Sequence, residues 1–284
     1  MDVAERIRAE GSRLTAAERR VATAILASPQ LVGFGTVADL AGRAGVGAAS
    51  VVRLANKLGF DGYSDLQQSI QTELSAQLRP AAERIRTTSA SSTTSTVAAH
   101  GEAELANVRA TLSAVADDAL ASLITRLADH DREVLVVSGD ASNGVARQFV
   151  SQLGQLRPGV CVVEGSEVAV GRTIALADQR ATALVIDLRR YERWVLDTHA
   201  AIVERGIWSA ALTDSVLSPT AQRADATFLI TAAAIGPFDS HVGTLALLNL
   251  IAAGVADVGR TPAADRLAAI EAAWGTAGAL TDGG

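Results

Sequence analysis

Three groups of side chains in this sequence have residue types and spacings that could do chemistry. The first is Arg189, Arg190 and Tyr191, two guanidinium groups and a phenol within Ile186-Asp-Leu-Arg-Arg-Tyr-Glu-Arg193. Guanidinium forks pair bidentately with phosphate or carboxylate, so this run can hold an anion. A solvated loop, or salt bridges to Asp187 and Glu192, is the plainer use of the same residues. The second group is Ser138, Ser142 and Asn143 in Ser138-Gly-Asp-Ala-Ser-Asn-Gly144, ahead of a helical stretch. A helix start of that kind offers unpaired backbone N–H groups to an anion, although a structural turn with a serine cap has the same sequence. The third is Ala49, Ser50, Arg53, Asn56 and Lys57. Arginine and asparagine pair with guanine and adenine edges, while lysine and serine hold phosphate, so this set can read duplex DNA. A solvated helix face draws on the same residue types.

Each group needs an element to present it. Val51, Leu54, Ala55 and Leu58 follow the i, i+3, i+4, i+7 rule and predict a helix from Ala48 to Leu58 that buries this stripe and exposes Ala49, Arg53 and Asn56, with Val52 and Lys57 at the flanks. A shorter helix, 37–44, precedes it and ends at Gly45, which is a helix-turn-helix layout. Thr15 with Glu18, Thr36 with Asp39 and Ser64 with Gln67 have the spacing of capping boxes and mark three helix starts. Farther along, apolar runs at 133–137, 160–163, 183–187, 209–213 and 226–230 alternate with helical stretches, which predicts a parallel sheet covered on both faces. Ligands of such sheets bind beyond the carboxyl ends of the strands, where the Ser138 and Arg189 runs fall. Between the two regions, residues 86–98 are rich in Ser and Thr without hydrophobic periodicity and predict a solvated linker.

The expected fold class is therefore α + α/β, with an all-α domain at 1–85, a linker at 86–98 and a three-layer α/β/α domain with a five-stranded parallel sheet at 99–284. The length of 284 residues suits two domains, and 49% apolar residues with 20% charged ones exclude a disordered chain. The net charge of −6 hides an asymmetry: residues 1–60 hold 8 Lys/Arg against 5 Asp/Glu, so the basic excess lies at the start. Lys57 is the only lysine. The first residues are charged and no apolar run reaches the roughly 18 residues of a membrane span, so the expected location is cytoplasmic, with no membrane partner. Cys161, the single cysteine, lies in an apolar run and is expected to be buried. Neither the four histidines nor the cysteine has metal-ligand spacing, so no metal and no cofactor is expected.

The segment from Leu14 to Leu74 resembles the N-terminal domain of RpiR-type (MurR/RpiR) regulators. The resemblance is carried by Leu14-Thr-x-x-Glu-Arg-x-Val-Ala22, Val37-x-x-Leu-Ala41 and Ala44-Gly-Val through Val51-x-Arg53 to Lys57-Leu-Gly-Phe60. Gly47 stands where the family usually has a capping serine. Residues of about 120–260 resemble the sugar isomerase (SIS) domain of the same family, most clearly in Thr213-Asp-Ser-x-x-Ser218-Pro219 with Ala221 and Ala224-Asp225, where Ser-Pro is expected to start a short helix. The Arg189-Arg190-Tyr191 run replaces the hydroxyl-rich segment that sugar-phosphate SIS domains carry after the third strand.

This resemblance implies a transcription regulator that binds double-stranded operator DNA as a homodimer or tetramer. Its control would come from a small anionic effector, of the sugar-phosphate kind, bound near Ser138, Ser142, Asn143, Arg189, Arg190 and Tyr191. Two alternatives stay open: a sugar-phosphate isomerase with an accessory helical domain, and a regulator whose SIS domain only dimerises. Isomerisation needs a positioned base. Glu167 and His241 lie in loop or helix-start positions where SIS enzymes sometimes keep such groups, but they belong to no motif, and no catalytic residue is expected.

Overall fold

The computed structural model describes residues 3–27, 29–77, 81–87, 93–216 and 218–279. The chain divides into two compact units, Met1–Ser89 and Ala90–Gly284, each taken by itself below.

The first unit is helical: α1 (Val3–Glu10), α2 (Ala16–Ala27), α3 (Pro29–Phe34), α4 (Val37–Ala44), α5 (Ala48–Lys57), α6 (Tyr63–Gln77) and α7 (Ala81–Thr87). Its core is aliphatic, with Val21, Leu40, Val51, Leu54, Ala55 and Leu66 removed from solvent. Two capping boxes form. Thr15 N–H donates to Glu18 Oε2 at 2.8 Å while Glu18 N–H donates back to Thr15 Oγ1, and Thr36 and Asp39 make the equivalent pair at the start of α4. The third does not. Helix α6 begins one residue before Ser64, and Gln67 instead reaches back with Nε2 to the carbonyls of Val32 and Gly35. There a tertiary need for donors outcompetes the local cap.

Helix α4 ends at Gly45, whose φ of 61° closes the turn in a conformation that side chains with a Cβ resist. Gly47 then caps α5 through its extended backbone alone. The buried stripe of α5 is the expected one, with Val51, Leu54 and Ala55 fully enclosed.

The second unit contains α8 (Thr93–Ser113), α9 (Asp117–Ala128), β1 (Val134–Ser138), α10 (Asn143–Leu156), β2 (Val160–Val162), α11 (Glu167–Leu176), β3 (Thr182–Ile186), α12 (Arg193–Glu204), β4 (Trp208–Thr213), β5 (Ala226–Leu229), α13 (Val242–Val258) and α14 (Arg260–Ala277). Among the described residues the strands form one parallel sheet in the order β2-β1-β3-β4-β5. Alternate strand residues face opposite layers. Val134, Val136, Leu184 and Ile186 pack with Leu123, Phe149, Leu247 and Ile251 of α9, α10 and α13, while Leu135, Val137, Ala183 and Val185 pack with Val170, Ile174, Val195 and Ile202 of α11 and α12.

Three local expectations need correction. Of the expected solvated linker at 86–98, residues 86–87 end α7, residues 93–98 open α8, and residues 88–92 lie outside the described residues. Cys161 is exposed, because β2 is a three-residue edge strand with a neighbour on one side only. Ser218-Pro219 forms a turn rather than a helix, closed by Ala221 N–H donating to Ser218 Oγ at 3.0 Å. Among the described residues no single helix is long and apolar enough to cross a membrane.

Candidate functional site

On α5 the structure places Ala49, Arg53 and Asn56 on one exposed face. Ser50, expected beside them, turns inward and is buried, and its Oγ accepts a hydrogen bond from Arg53 Nη2 at 2.9 Å. It steadies the arginine and is not itself free to touch DNA. Lys57 is also committed inside the domain: Nζ donates to the Arg13 carbonyl at 2.7 Å and pairs with Glu18 Oε2 at 3.0 Å. With Thr15 and Lys57 both donating to it, the Glu18 carboxyl is held down at about 2, well below the usual carboxylate range. Lys57 thus ties the end of α5 to the start of α2. Arg6 ties the same end to α1, donating to the Leu58 carbonyl at 2.9 Å with its guanidinium 4.4 Å from the Phe60 ring centre.

In the second unit, the candidate site lies at the carboxyl edge of the sheet. Ser138 ends β1, and the chain turns through Gly139 and a short 3-10 turn, Asp140–Ser142, into α10. A cavity of about 420 Å³ opens there, lined by Ser138, Asp140, Asn143, Glu164, Glu192 and Trp194 together with residues 162, 163 and 165. Of the residues expected at an effector site, Ser138 and Asn143 line this cavity. Ser142 is buried and absent from the lining.

The loop after β3 departs furthest from expectation. Arg189 donates from Nη2 to the Ala232 carbonyl at 2.9 Å and pairs with Asp239 at 3.2 Å, while its backbone N–H donates to Asp214 Oδ1. Tyr191 donates its hydroxyl to the same Asp214 oxygen at 2.9 Å. Both side chains lock this loop to the segments following β4 and β5 and are absent from the cavity lining. Arg190 is exposed with a φ of 68°, a left-handed conformation that costs a non-glycine residue about 1 kcal/mol. The sharp turn at Arg190 brings both of its flanking residues to the same Asp214 oxygen and sends the chain beyond them elsewhere. Arg189 and Tyr191 reach Asp214, whereas Glu192 reaches the cavity, accepting the Asp140 N–H with Oε1 and the Trp194 Nε1–H with Oε2.

Behind Glu192, Asp187 is buried and accepts the Glu192 N–H at 3.2 Å. Burial raises its carboxyl to about 7, with the nearby Glu192 and Asp214 charges adding to the effect and the Glu192 hydrogen bond opposing it. Glu192, Glu164 and Trp194 went unnoticed as site residues in the sequence. Only the position of Glu192, one residue before a helix that starts beyond a strand's carboxyl end, could have pointed to it.

A second, larger groove of about 720 Å³ runs between α11 and α12, with Val170, Ile174 and Ala201 at its base and Trp194 shared with the smaller cavity. Glu167 lines this groove, and His241 caps α13; neither lines the Ser138 cavity. Among the described residues no cluster of His, Cys, Asp and Glu has the geometry of a metal site.

A helix-turn-helix unit followed by a doubly covered parallel sheet with a cavity at its carboxyl edge defines a two-domain helix-turn-helix and SIS architecture. Comparison with known proteins agrees. Residues 1–77 match the model of the rpiR-family helix-turn-helix domain, and residues 126–254 match that of the SIS domain. An HTH-type transcriptional regulator of Haemophilus influenzae is 25% identical over 214 residues, 75% of this chain and 74% of that one. The sugar isomerase domain of an RpiR transcription factor from Sphaerobacter thermophilus is 26% identical with a TM-score of 0.56, covering 61% of this chain and 97% of that one. The Vibrio vulnificus NanR protein, in complex with ManNAc-6P, shares the fold over 99% of this chain and 100% of its own, at 20% identity and a TM-score of 0.57. The chain thus joins an rpiR-family helix-turn-helix domain to a SIS domain.

Proposed function

We propose that the protein is a one-component transcription regulator in which α5 enters the major groove of operator DNA and a small effector in the Ser138 cavity changes that binding. The carrying observation is the exposed Ala49–Arg53–Asn56 face on the second helix of the motif, with small residues at its start and base-reading side chains beyond. Ser50 and Lys57 serve this face indirectly, one by fixing Arg53 and the other by fixing the end of α5. A dimer formed through the SIS domain would set two such helices on a two-fold operator. The protein would work in the cytoplasm.

The cavity volume suits a small polar metabolite. The ManNAc-6P complex of NanR supports an effector of sugar size. Turnover is not part of this reading: Glu167 and His241 do not line the cavity, and of its carboxylates Glu192 is bound to the Asp140 and Trp194 N–H groups and Glu164 to Arg147.

Binding to the adjacent intergenic DNA, measured against random DNA at several salt concentrations, tests the regulator. Arg53→Ala should weaken specific binding by about 1–3 kcal/mol while leaving most of the salt dependence intact, since a base contact and not a phosphate contact is lost. No preference of the wild type for the intergenic DNA refutes the reading. An unchanged affinity in the variant removes Arg53 from base recognition.

A further inference from the structure

The cavity at Ser138 has a charge pattern that narrows what it can hold. Its lining carries three carboxylates, Asp140, Glu164 and Glu192, and no arginine or lysine. Arg147 offsets one of them from behind, paired to Glu164 and donating to Asn143 Oδ1 at 2.7 Å. The Asp140 N–H, at the start of the turn that leads into α10, is a donor that an anion would be expected to occupy. Here Glu192 Oε1 takes it. The other oxygen of the same carboxylate accepts from Trp194 Nε1 at 2.7 Å, so Glu192 is held from both ends.

Gly139 makes this closure possible. A Cβ at that position would lie 2.8 Å from Glu192 Oε1 and 3.0 Å from Asp187 Oδ1, closer than the carboxylates could tolerate without moving. The protein's own carboxylate therefore stands where a ligand phosphate would be received.

A second observation points to an occupant. Ser138 lines the cavity, is 3% exposed, and its Oγ has no hydrogen-bond partner. Buried hydroxyls are seldom left unpaired, and a polar molecule in the cavity would supply the missing partner. With Glu164 already paired to Arg147, a phosphorylated molecule would meet the carboxylates of Glu192 and Asp140 and no free cation in the lining, whereas an ammonium group would find acceptors at those two.

We propose that this cavity binds its effector through a cationic nitrogen, an ammonium or amidinium group on a small polar frame. In this proposal Glu192 sets the preference by occupying the Asp140 N–H against anions. It rests on the cavity being the effector site, and it is tested without DNA, so that its failure and the failure of operator binding are read separately.

The test is titration and thermal shift on the full-length protein. Glucosamine, galactosamine, ethanolamine and putrescine serve as cationic probes, with glucose as the neutral control and glucose 6-phosphate and inorganic phosphate as anions. At least one amine should bind and raise the melting temperature, glucosamine should bind about tenfold or more tightly than glucose if it is that amine, and the gain should fall with salt. Glucose 6-phosphate and phosphate should leave the wild type unmoved. Glu192→Gln should lower amine affinity by about tenfold, and Glu192→Ala, which frees the Asp140 N–H, should admit glucose 6-phosphate. Ser138→Ala removes a hydroxyl that the free protein leaves unpaired, so it should fold normally and weaken the amine. A wild type that binds phosphate or glucose 6-phosphate, or that answers to none of the four amines, overturns the proposal. So does a Glu192→Gln variant whose amine affinity matches the wild type.

Discussion

Removing the Glu18 carboxylate should loosen the DNA-reading helix from a distance. Glu18 sits at the start of α2, and its Oε2 accepts from Thr15 N–H at 2.8 Å and from Lys57 Nζ at 3.0 Å, the latter 39 residues away at the end of α5. A hydrogen bond to a charged group contributes about 1.5–3 kcal/mol, and a lost N-terminal cap costs about 1 kcal/mol. The Lys57 side chain remains 31% exposed and can return to water, so the cost falls short of a broken buried pair. Glu18→Ala should therefore destabilise the first unit by about 2–3 kcal/mol, and Glu18→Gln, which keeps an acceptor, by about half as much. The same carboxyl predicts an acid limb. Its folded value of about 2 lies below the ordinary 4.5, so its contribution is complete above pH 4.5 and is lost as pH falls from there to 2. The full shift would correspond to about 3 kcal/mol, which screening at the half-open Lys57 brings toward about 2.

All three tryptophans, Trp194, Trp208 and Trp274, lie in the second unit, so their fluorescence does not follow this change. Hydrogen exchange of amides in α2, α4 and α5 does. Protection there should fall by about 30- to 160-fold in Glu18→Ala, the equivalent of about 2–3 kcal/mol, with the tryptophan unfolding transition in urea unmoved. If protection in α5 changes by less than threefold while the first turn of α2 frays, the Lys57 tether does not hold the recognition helix and the argument is wrong.

Asp187 predicts the opposite pH slope in the second unit. Its folded value of about 7 exceeds the ordinary carboxylate value, so folding is favoured most below about pH 4 and loses stability as pH rises through 7. Asp187→Asn should flatten that slope and stabilise the protein at pH 8 by about 1–2 kcal/mol in urea unfolding followed by tryptophan fluorescence; parallel pH profiles for the two proteins would sink the idea. Arg157 is fully buried and donates to the carbonyls of Pro158, Leu127, Asp129 and Arg132. Arg157→Met should cost at least about 3 kcal/mol, and Arg157→Lys should fail to restore it because an ammonium cannot span four carbonyls; a lysine variant as stable as the wild type contradicts this account.

Elements that depend on local periodicity were legible in the sequence, and contacts between distant segments were not. The α5 stripe and the Gly45 turn follow from spacing alone, and each strand lies within a residue or two of its apolar run. Ser64 and Gln67 have the spacing of a cap, yet Gln67 is drawn to carbonyls 32 and 35 residues earlier. Cys161 shares its apolar run with the buried Val163, but a run does not reveal that its strand is an edge. Arg157 gave no signal at all, since its partners are backbone oxygens that no residue type marks.

The Arg189-Arg190-Tyr191 run shows the same limit at the functional site. From charge alone, two arginines at a strand's carboxyl end are anion ligands or the partners of adjacent acids. The acid that Arg189 pairs with turns out to be remote in sequence: its guanidinium meets Asp239, while its backbone N–H donates to Asp214, 25 residues on. Neutralised there, Arg189 brings no positive charge to the cavity, and Tyr191 helps it pin the turn to Asp214. The left-handed residue between them, Arg190, is the strained point of that turn. Beyond it the chain delivers Glu192 to the Asp140 N–H. The basic motif thus has an acidic consequence: it anchors a loop whose contribution to the cavity is a carboxylate. Where hydroxyl-rich loops would offer donors to a phosphate, this loop offers an acceptor, and the chemistry of the site follows from that exchange.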